Sequence, residues 1–291
     1  MAVSPTMTGL ETIKRAITLA NGQEASFVIA DREDRPSFFV LGVRKSGSSI
    51  YNRMAFALAR INRYAPVDVA GTFFKQNVTT KSWINDPAVE RLLAGGNLYG
   101  GFRNFPVALA KTEFFSNCKK ALLVRDPRDA LVSEYFSLAY SHSIPLPSVQ
   151  GSEVTIAMEK ARHDMLQCDI NDFATKAAAG FNKALLQYAI LLKDPSALVI
   201  KYEDVILNKR ALIQKLCSHF QWHVSEVQIG KILDWADIVP NIEDKTAFIR
   251  KVVPGDHAEK LNGETIHALN VALESSMNAF GYNICGDNSV D

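Results

Sequence analysis

A short apolar segment near the start of the chain runs directly into a group of small and cationic residues. The segment 38–43 is almost entirely apolar, as expected of a buried parallel strand. The residues that follow it are Arg44, Lys45, Ser46, Gly47, Ser48 and Ser49. Cationic and hydroxyl side chains in a turn of small residues are suited to binding a phosphate or sulfate group.

The elements on either side would position this turn. Residues 51–63 carry apolar side chains at helical spacing, so the turn is predicted to lead into a helix. A strand, a small-residue turn and a helix together direct unpaired backbone N–H groups outward at the positive end of the helix dipole. Structural preference alone would place Asp or Glu there, so Arg44 and Lys45 make sense chiefly when an anion is bound. A turn that merely links the strand and the helix is the alternative for this segment taken alone.

Composition limits the class of protein. The chain has 291 residues, of which 47% are hydrophobic and 22% charged, and its net charge is +1. It can bury a large core, and no overall basic bias indicates nucleic acid or an anionic membrane as a partner. No apolar run approaches the length of a membrane span. Cys118, Cys168, Cys217 and Cys285 show no paired spacing, so we expect no disulfide framework, no zinc site and a reducing, cytoplasmic location.

The order of the predicted elements indicates an α/β fold. Beyond the first strand and helix, strands are predicted at 65–70, 97–102, 120–124 and 197–200. Helices are predicted at 106–115, 127–138, 169–192, 207–220, 224–236 and 264–280, with the clearest loop at 143–151. This alternation predicts a single domain, residues 37–291, with a central parallel sheet flanked by helices. Residues 1–36 have a mild helical pattern and are predicted to form an N-terminal helical extension.

A second group of residues suited to an anion follows the predicted strand at 120–124. Arg125 ends the strand, and Asp126 and Pro127 then supply the capping and first positions of a helix. Ser133 faces the same side nearly two turns along that helix. Arginine suits a phosphate because its planar fork donates two hydrogen bonds at once. An ion-pair cluster at the helix start would explain the neighbouring charges, but not Ser133.

Taken in chain order, these residues resemble the sulfotransferases that use 3′-phosphoadenosine 5′-phosphosulfate (PAPS). The segment 45–49 is similar to the family's 5′-phosphosulfate loop, Lys-Ser-Gly-Thr/Ser-Thr/Ser, and Arg125 and Ser133 match the pair that holds the 3′-phosphate. The segment 202–204, Tyr-Glu-Asp, matches a motif whose tyrosine lies near the nucleotide. The segment 250–256 resembles the Arg-Lys-Gly and Gly-Asp residues that close over the 3′-phosphate.

The resemblance implies a P-loop-like sulfotransferase fold that binds PAPS, releases the bisphosphate product PAP and uses no metal. The implied cofactor-binding residues are Arg44, Lys45, Ser46, Gly47, Ser48, Ser49, Arg125, Ser133, Tyr202, Arg250 and Lys251.

Three positions depart from the family pattern. Ile50 stands where the loop's tryptophan packs against adenine, Val252 replaces a glycine, and Asn104 stands where cytosolic members have a catalytic histidine. Tyr51 or Trp235 is the candidate for adenine stacking instead.

The resemblance also implies how catalysis would be divided among side chains. Lys45 is the predicted cation at the bridging oxygen and the leaving phosphate, in place of magnesium. Because Asn104 cannot act as a base, Asp68 is the predicted base, by similarity to branches that use a carboxylate near the end of the second strand. Asp68 fits a turn-capping role equally well. Arg103 would help to neutralise the transferring group. Other candidate bases are Glu113, His142 and His163.

The predicted activity is sulfuryl transfer to a hydroxyl or amine of a small-molecule, lipid or saccharide acceptor, with phenol and peptide also open. The acceptor pocket is expected within 73–98 and 141–164, and the sequence leaves a homodimer open. Two alternatives remain. One is a P-loop small-molecule kinase, although the lysine expected after Gly47 is absent. The other is a non-catalytic nucleotide-binding module, which the three departures favour.

Overall fold

A parallel sheet forms the centre of the protein. The computed structural model describes residues 10–141, 153–240, 242–247 and 249–283. Within these ranges the sheet has five strands in the order β4-β5-β3-β6-β7, and each adjacent pair is parallel. The strands are β3 (Phe38–Gly42), β4 (Ala65–Asp68), β5 (Asn97–Phe102), β6 (Lys119–Val124) and β7 (Ala197–Lys201). The predicted α/β fold with a central parallel sheet is confirmed.

The middle strand, β3, is buried along its whole length. Its side chains alternate between two apolar layers, so that Phe39 and Leu41 pack into one and Phe38 and Val40 into the other. A continuous apolar run without alternation is what a strand covered on both faces requires. Because parallel strands end at the same edge of a sheet, the connections that follow β3, β5 and β6 lie side by side.

Helices cover both faces of the sheet. The longer ones are α1 (Ser48–Ile61), α6 (Pro127–Phe136), α7 (Glu153–Leu166), α8 (Ile170–Leu186), α10 (Lys209–Phe220), α11 (Glu226–Ala236) and α13 (Gly263–Ala272). The shorter ones are α2 (Val69–Lys75), α3 (Thr80–Trp83), α4 (Val107–Ala110), α5 (Glu113–Asn117), α9 (Tyr202–Val205), α12 (Asp256–Lys260) and α14 (Glu274–Phe280). Helices of type 3₁₀ span Pro87–Leu92 and Gln187–Lys193, and a π-helical turn spans Ser137–Ser141.

The N-terminal segment forms a β-hairpin, so the predicted helical extension is wrong. Its strands, β1 (Ile13–Thr18) and β2 (Glu24–Ile29), pair antiparallel. Alternate residues of β2 are buried, which is the period of a strand, and apolar residues four apart suit a strand as well as a helix. Phe27 packs edge-on against Phe73, with ring centroids 5.0 Å apart, so the hairpin is part of the core.

The other differences from the predicted elements are two helices that the structure divides and one helix that was not predicted. The helix predicted at 106–115 is divided into α4 and α5, and the one at 264–280 is divided at Leu273. Helix α7 was not predicted. The loop predicted at 143–151 lies outside the described residues. No helix in the described part of the chain combines the length and apolar character needed to cross a bilayer.

Candidate active site

The turn between β3 and α1 is stabilised by hydrogen bonds within itself. The Ser46 N–H and hydroxyl both donate to the Val43 carbonyl oxygen, at 3.1 and 2.6 Å. Lys45 and Gly47 have left-handed backbone conformations, with φ of 65° and 78°. At Gly47 a Cβ atom would lie only 2.9 Å from the ring of Tyr202, so glycine is required there. Ser46 therefore shapes the turn through bonds made inside it.

Cations from three distant parts of the sequence meet around this turn. Arg125, which follows β6, donates from Nη1 to the Lys45 carbonyl oxygen at 3.3 Å. Its guanidinium lies over the ring of Tyr202, 4.4 Å from the centroid. The Tyr202 hydroxyl donates to the Val252 carbonyl oxygen at 2.7 Å and so connects the turn to the segment that carries Arg250. Lys45, Arg125 and Arg250 therefore share one region of the fold.

The Lys45 ammonium lies in a buried environment, near three arginines and one acid. Burial, together with the charges of Arg125, Arg103 and Arg250, lowers the pKa of Lys45 to about 8, and Glu134 opposes this shift. A cluster of buried cations is stabilised when an anion enters it. Arg125 Nε is also buried and has no hydrogen-bond partner among the described residues. The arrangement suits a ligand with more than one negative group.

Asp129 connects Arg125 to the segment 250–257, which we call the late segment. The sequence had placed Asp129 only in an ion-pair cluster at the helix start. It is 1% exposed and accepts hydrogen bonds from the Gly255 N–H at 2.7 Å, the His257 N–H at 2.9 Å and the His257 Nδ1 at 2.7 Å. Arg125 Nη2 lies 3.6 Å away. Burial opposes ionisation, but the bonds from His257 and the charge of Arg125 hold the pKa of Asp129 well below its usual range. The one sequence signal was its position four residues after Arg125.

The two predicted cations of the late segment differ in their surroundings. Arg250 is 8% exposed and pairs with Glu243 and Asp256. Lys251 Nζ lies 3.2 Å from Asp256 and 2.7 Å from Glu259. Only Arg250 is among the groups that act on the Lys45 charge. Lys251 is instead held by acids of α12. Val252, in place of a glycine, is buried and contributes its carbonyl group.

The remaining predicted nucleotide contacts lie on α1 and α6. Ser48 and Ser49 begin α1, where the backbone N–H groups have no intrahelical partner. The Ser49 hydroxyl lies 3.3 Å from Arg103 Nη2, which places the predicted Arg103 beside the turn. Ser133 is half-buried on α6, on the helix that begins after Arg125.

The predicted base Asp68 has a capping role. It ends β4 and accepts a hydrogen bond from the Gly71 N–H at 3.0 Å, which caps α2. Gly101, with φ of 82°, lies so close that a Cβ atom there would be 1.9 Å from Asp68 Oδ1. Strand β4 is separated from β3 by β5, so Asp68 shares the edge of the sheet with the turn but follows a different strand.

The structure separates the other candidate bases from the turn or leaves them exposed. Glu113 begins α5, which ends just before β6 begins, so it lies at the opposite edge of the sheet from Lys45. This position contradicts a role for Glu113 as the base. His163 is exposed near the end of α7. His142 lies outside the described residues.

The two candidates for adenine stacking have different outcomes. Tyr51 is fully buried, and its hydroxyl donates to the Ala121 carbonyl oxygen at 2.9 Å, so Tyr51 cannot stack on a ligand. Trp235 on α11 is half-buried and packs on the same apolar cluster as Ile50. The guanidinium of Arg53 lies 4.2 Å from its ring. Adenine stacking on Trp235 stays a prediction.

A further polar cluster lies beside Lys45. It joins Arg44, which was predicted to bind the cofactor, to Glu134, which the sequence did not single out. Glu134 on α6 faces Arg44, with 3.1 Å between Arg44 Nε and Glu134 Oε1. The Arg44 guanidinium lies 5.0 Å from the Phe181 ring centroid, and its charge also acts on Tyr188, which is 1% exposed. Burial raises the pKa of Glu134, and the charges of Arg44 and Lys45 oppose that rise. No short-range pattern connects these residues, because α6, α8 and the turn meet only in the fold.

Comparison with known proteins identifies the class. A family model for the sulfotransferase domain matches residues 35–281, so the chain belongs to the sulfotransferase family. Among solved structures it is similar to mouse sulfotransferase SULT7A1 complexed with PAP, with 17% identity, 86% of each chain covered and a TM-score of 0.51. It was also matched to the sulfotransferase domain from the curacin biosynthetic pathway, with 13% identity, 87% of this chain and 99% of that chain covered, and a TM-score of 0.40. No curated protein matches the chain.

Proposed function

We propose that this sulfotransferase moves a sulfuryl group from PAPS to a hydroxyl or amine of a small-molecule, lipid or saccharide acceptor. The observation that carries the proposal is the meeting of Lys45, Arg125 and Arg250 around the turn between β3 and α1. A nucleotide with phosphate groups at both its 3′ and 5′ positions would present negative charge at separate points of this cluster. The structural neighbour with bound PAP supports the same ligand class.

Each cation would have a different task. Arg125 and Arg250, with Ser133, would hold the 3′-phosphate, since guanidinium groups donate paired hydrogen bonds to phosphate oxygens. The N–H groups that begin α1, with Ser48 and Ser49, would hold the 5′-phosphate. The unpaired Nε of Arg125 is available for such a bond.

Lys45 would act on the reaction itself. Sulfuryl transfer proceeds, like phosphoryl transfer, through a loose in-line transition state in which charge accumulates on the leaving oxygen. An ammonium group at the bridging oxygen stabilises that charge most in the transition state. Arg103, beside Ser49, would neutralise the transferring group. No metal is required in this scheme.

Magnesium-dependent kinase chemistry is less well supported. A P-loop kinase places a lysine after the second glycine of the loop, and here Ser48 follows Gly47. A cytoplasmic location and a homodimer stay predictions.

Ligand binding and product release test the proposal in two steps. Thermal unfolding is measured with adenosine 3′,5′-bisphosphate without magnesium, and separately with ATP and magnesium. We expect stabilisation by the bisphosphate, because only it supplies the 3′-phosphate. PAPS is then added with a mixture of alcohols, phenols and amines, and bisphosphate release is followed. Stabilisation by magnesium and ATP alone would favour a kinase. Binding without release would favour a non-catalytic module.

A further inference from the structure

We propose that Glu134 is the general base that takes the proton from the acceptor. Sequence reasoning had placed that role on Asp68, because Asn104 occupies the position of the family's histidine. This role for Glu134 rests on the proposed sulfuryl transfer. It also fixes where the acceptor hydroxyl or amine lies, between Glu134 and the sulfuryl group held at Lys45.

Two buried oxygen atoms near Arg44 lack hydrogen bonds within the described part of the chain. They are Glu134 Oε2 and the Tyr188 hydroxyl oxygen. The other carboxylate oxygen, Glu134 Oε1, lies 3.1 Å from Arg44 Nε and forms an ion pair with it. Buried polar groups without partners are costly, so two of them beside one ion pair indicate a ligand that completes them. A hydroxyl or amine suits this set, because it can donate to the carboxylate and accept from the guanidinium or the phenol.

Glu134 is also the acid whose charge acts on the Lys45 ammonium. Among the described residues, the charges that most affect Lys45 are those of Glu134, Arg125, Arg103 and Arg250, and Glu134 is the one acid in that set. It immediately follows Ser133 on α6. A proton acceptor here would therefore lie next to the cation that is expected to assist the leaving group.

Asp68 is used differently. Its Oδ1 accepts the Gly71 N–H and caps α2, and it follows β4 rather than β3. That contact gives Asp68 a reason to be present in the fold without any catalytic task. Glu134 also has a structural contact, the ion pair between its Oε1 and Arg44, but its Oε2 is buried and has no partner among the described residues.

The step balances with the groups named. The acceptor O–H donates its proton to Glu134 Oε2 as the acceptor oxygen forms a bond to sulfur. The bond between sulfur and the bridging oxygen of PAPS breaks, and its electron pair stays on the 5′-phosphate, beside Lys45. The products are the sulfated acceptor, adenosine 3′,5′-bisphosphate and a protonated Glu134, which returns its proton to water. Burial raises the pKa of this carboxyl, which brings it nearer to that of an effective base.

The first experiment compares Glu134→Gln with Asp68→Asn. Affinity for adenosine 3′,5′-bisphosphate is measured by calorimetry, and turnover by bisphosphate release from PAPS with phenol, cyclohexanol or water as acceptor. We expect E134Q to bind the bisphosphate within about threefold of the parent while turnover falls by about 10²–10⁴-fold. Glu113→Gln, at the opposite edge of the sheet, is the matched control and should behave as the parent. A larger loss in D68N than in E134Q would overturn the proposal.

The second experiment separates a base from a residue that only positions Arg44. Formate is added to Glu134→Ala, because a small carboxylate can enter the space left by the side chain and accept the proton; the comparison of phenols below separates this from a restored ion pair with Arg44. We expect formate to restore part of the turnover. The defect of E134Q should also be smaller with 4-nitrophenol, which is largely ionised at pH 8, than with phenol, which is not. Equal defects with both phenols and no rescue would overturn the role.

Folding and the underlying activity are controlled separately. If E134Q fails to fold, Glu134→Asp keeps the charge, and its turnover should fall between those of the parent and E134A. A parent protein that does not bind adenosine 3′,5′-bisphosphate contradicts the proposed function and not the choice of base. A parent that binds it but releases none from PAPS with any acceptor, including water, overturns this proposal as well.

Discussion

The two sides of Lys45 are built differently. The nucleotide side comprises residues 45–49 of the turn, Arg125, Asp129, Tyr202 and the segment 250–257. The acceptor side comprises Arg44, Glu134 and Tyr188. On the nucleotide side, hydrogen bonds join four separate parts of the chain. On the acceptor side, one ion pair is accompanied by two buried oxygens without hydrogen bonds among the described residues, Glu134 Oε2 and the Tyr188 hydroxyl. The first side is held together before a ligand arrives, with Arg125 Nε left for the ligand, whereas the second still has two oxygens without partners in the described part of the chain. Substitutions on the nucleotide side should therefore weaken nucleotide binding or the stabilisation of the leaving group. Substitutions on the acceptor side should slow the proton transfer.

Among substitutions of the cations, the largest expected effect is the loss of turnover on changing Lys45, which lies between the two sides. Lys45→Ala should lower turnover by about 10²–10³-fold, because it removes a charge that acts mainly in the transition state. Affinity for adenosine 3′,5′-bisphosphate should fall by less than tenfold, since Arg125 and Arg250 remain. Single-turnover kinetics and calorimetry measure the two quantities. Equal losses in both would mean that Lys45 serves binding alone.

The next effect tests the connections within the nucleotide side. Asp129→Asn should weaken bisphosphate binding by about 10–100-fold, because hydrogen bonds to charged groups contribute about 1.5–3 kcal/mol each. The substitution removes the charge that orients Arg125 and weakens the bonds to Gly255 and His257. Calorimetry at several salt concentrations gives the affinity. Unchanged affinity would show that the late segment is held by other contacts. Glu259→Gln, on the outer side of α12, is the control and should retain the parent affinity.

A pH profile sharpens the comparison. The pKa of Lys45 is depressed to about 8 in the free protein, so its charge is present below that pH and lost above it. We therefore expect kcat/KM to fall as pH rises through about 8, and Lys45→Arg to remove this alkaline limb of the profile.

The acid limb of the same profile reports on Glu134. Its midpoint should lie above the range of an ordinary carboxyl, because burial raises the pKa of Glu134. In E134Q the acid limb should disappear, and the alkaline limb should move to lower pH because Glu134 supports the Lys45 charge. A profile that is flat from neutral pH to pH 10 would contradict the Lys45 assignment.

The smallest expected effect concerns stability only. Tyr51→Phe removes the hydrogen bond to the Ala121 carbonyl oxygen beneath the turn and should lower the free energy of unfolding by about 1 kcal/mol. Bisphosphate affinity should not change, since Tyr51 is fully buried. Urea denaturation and calorimetry give the two values. A selective loss of affinity would show that the ring supports adenine binding indirectly.

Sequence reasoning was most successful where local pattern and chemistry coincide. The strand at 38–42, the turn with its cations and the capped helix after Arg125 could be predicted, because each depends on residues close together in the chain. The Asp126 cap at the start of that helix was predicted for the same reason. The N-terminal hairpin was missed because apolar residues four apart suit either element, and only pairing with a second strand decides between them.

What the sequence determined by itself was the fold class, the turn between the first strand of the sheet and its helix, and the order of the cations along the chain. The tertiary structure alone brought Arg125 and Arg250 to Lys45, and it alone placed Asp129 between Arg125 and the late segment. It also buried the Tyr51 ring, with its hydroxyl bonded to the Ala121 carbonyl oxygen, and brought Glu134 to Arg44. The physical reason is that a strand or helix forms through contacts within a few residues, whereas the pairing and charge state of a buried side chain depend on groups far away in the sequence.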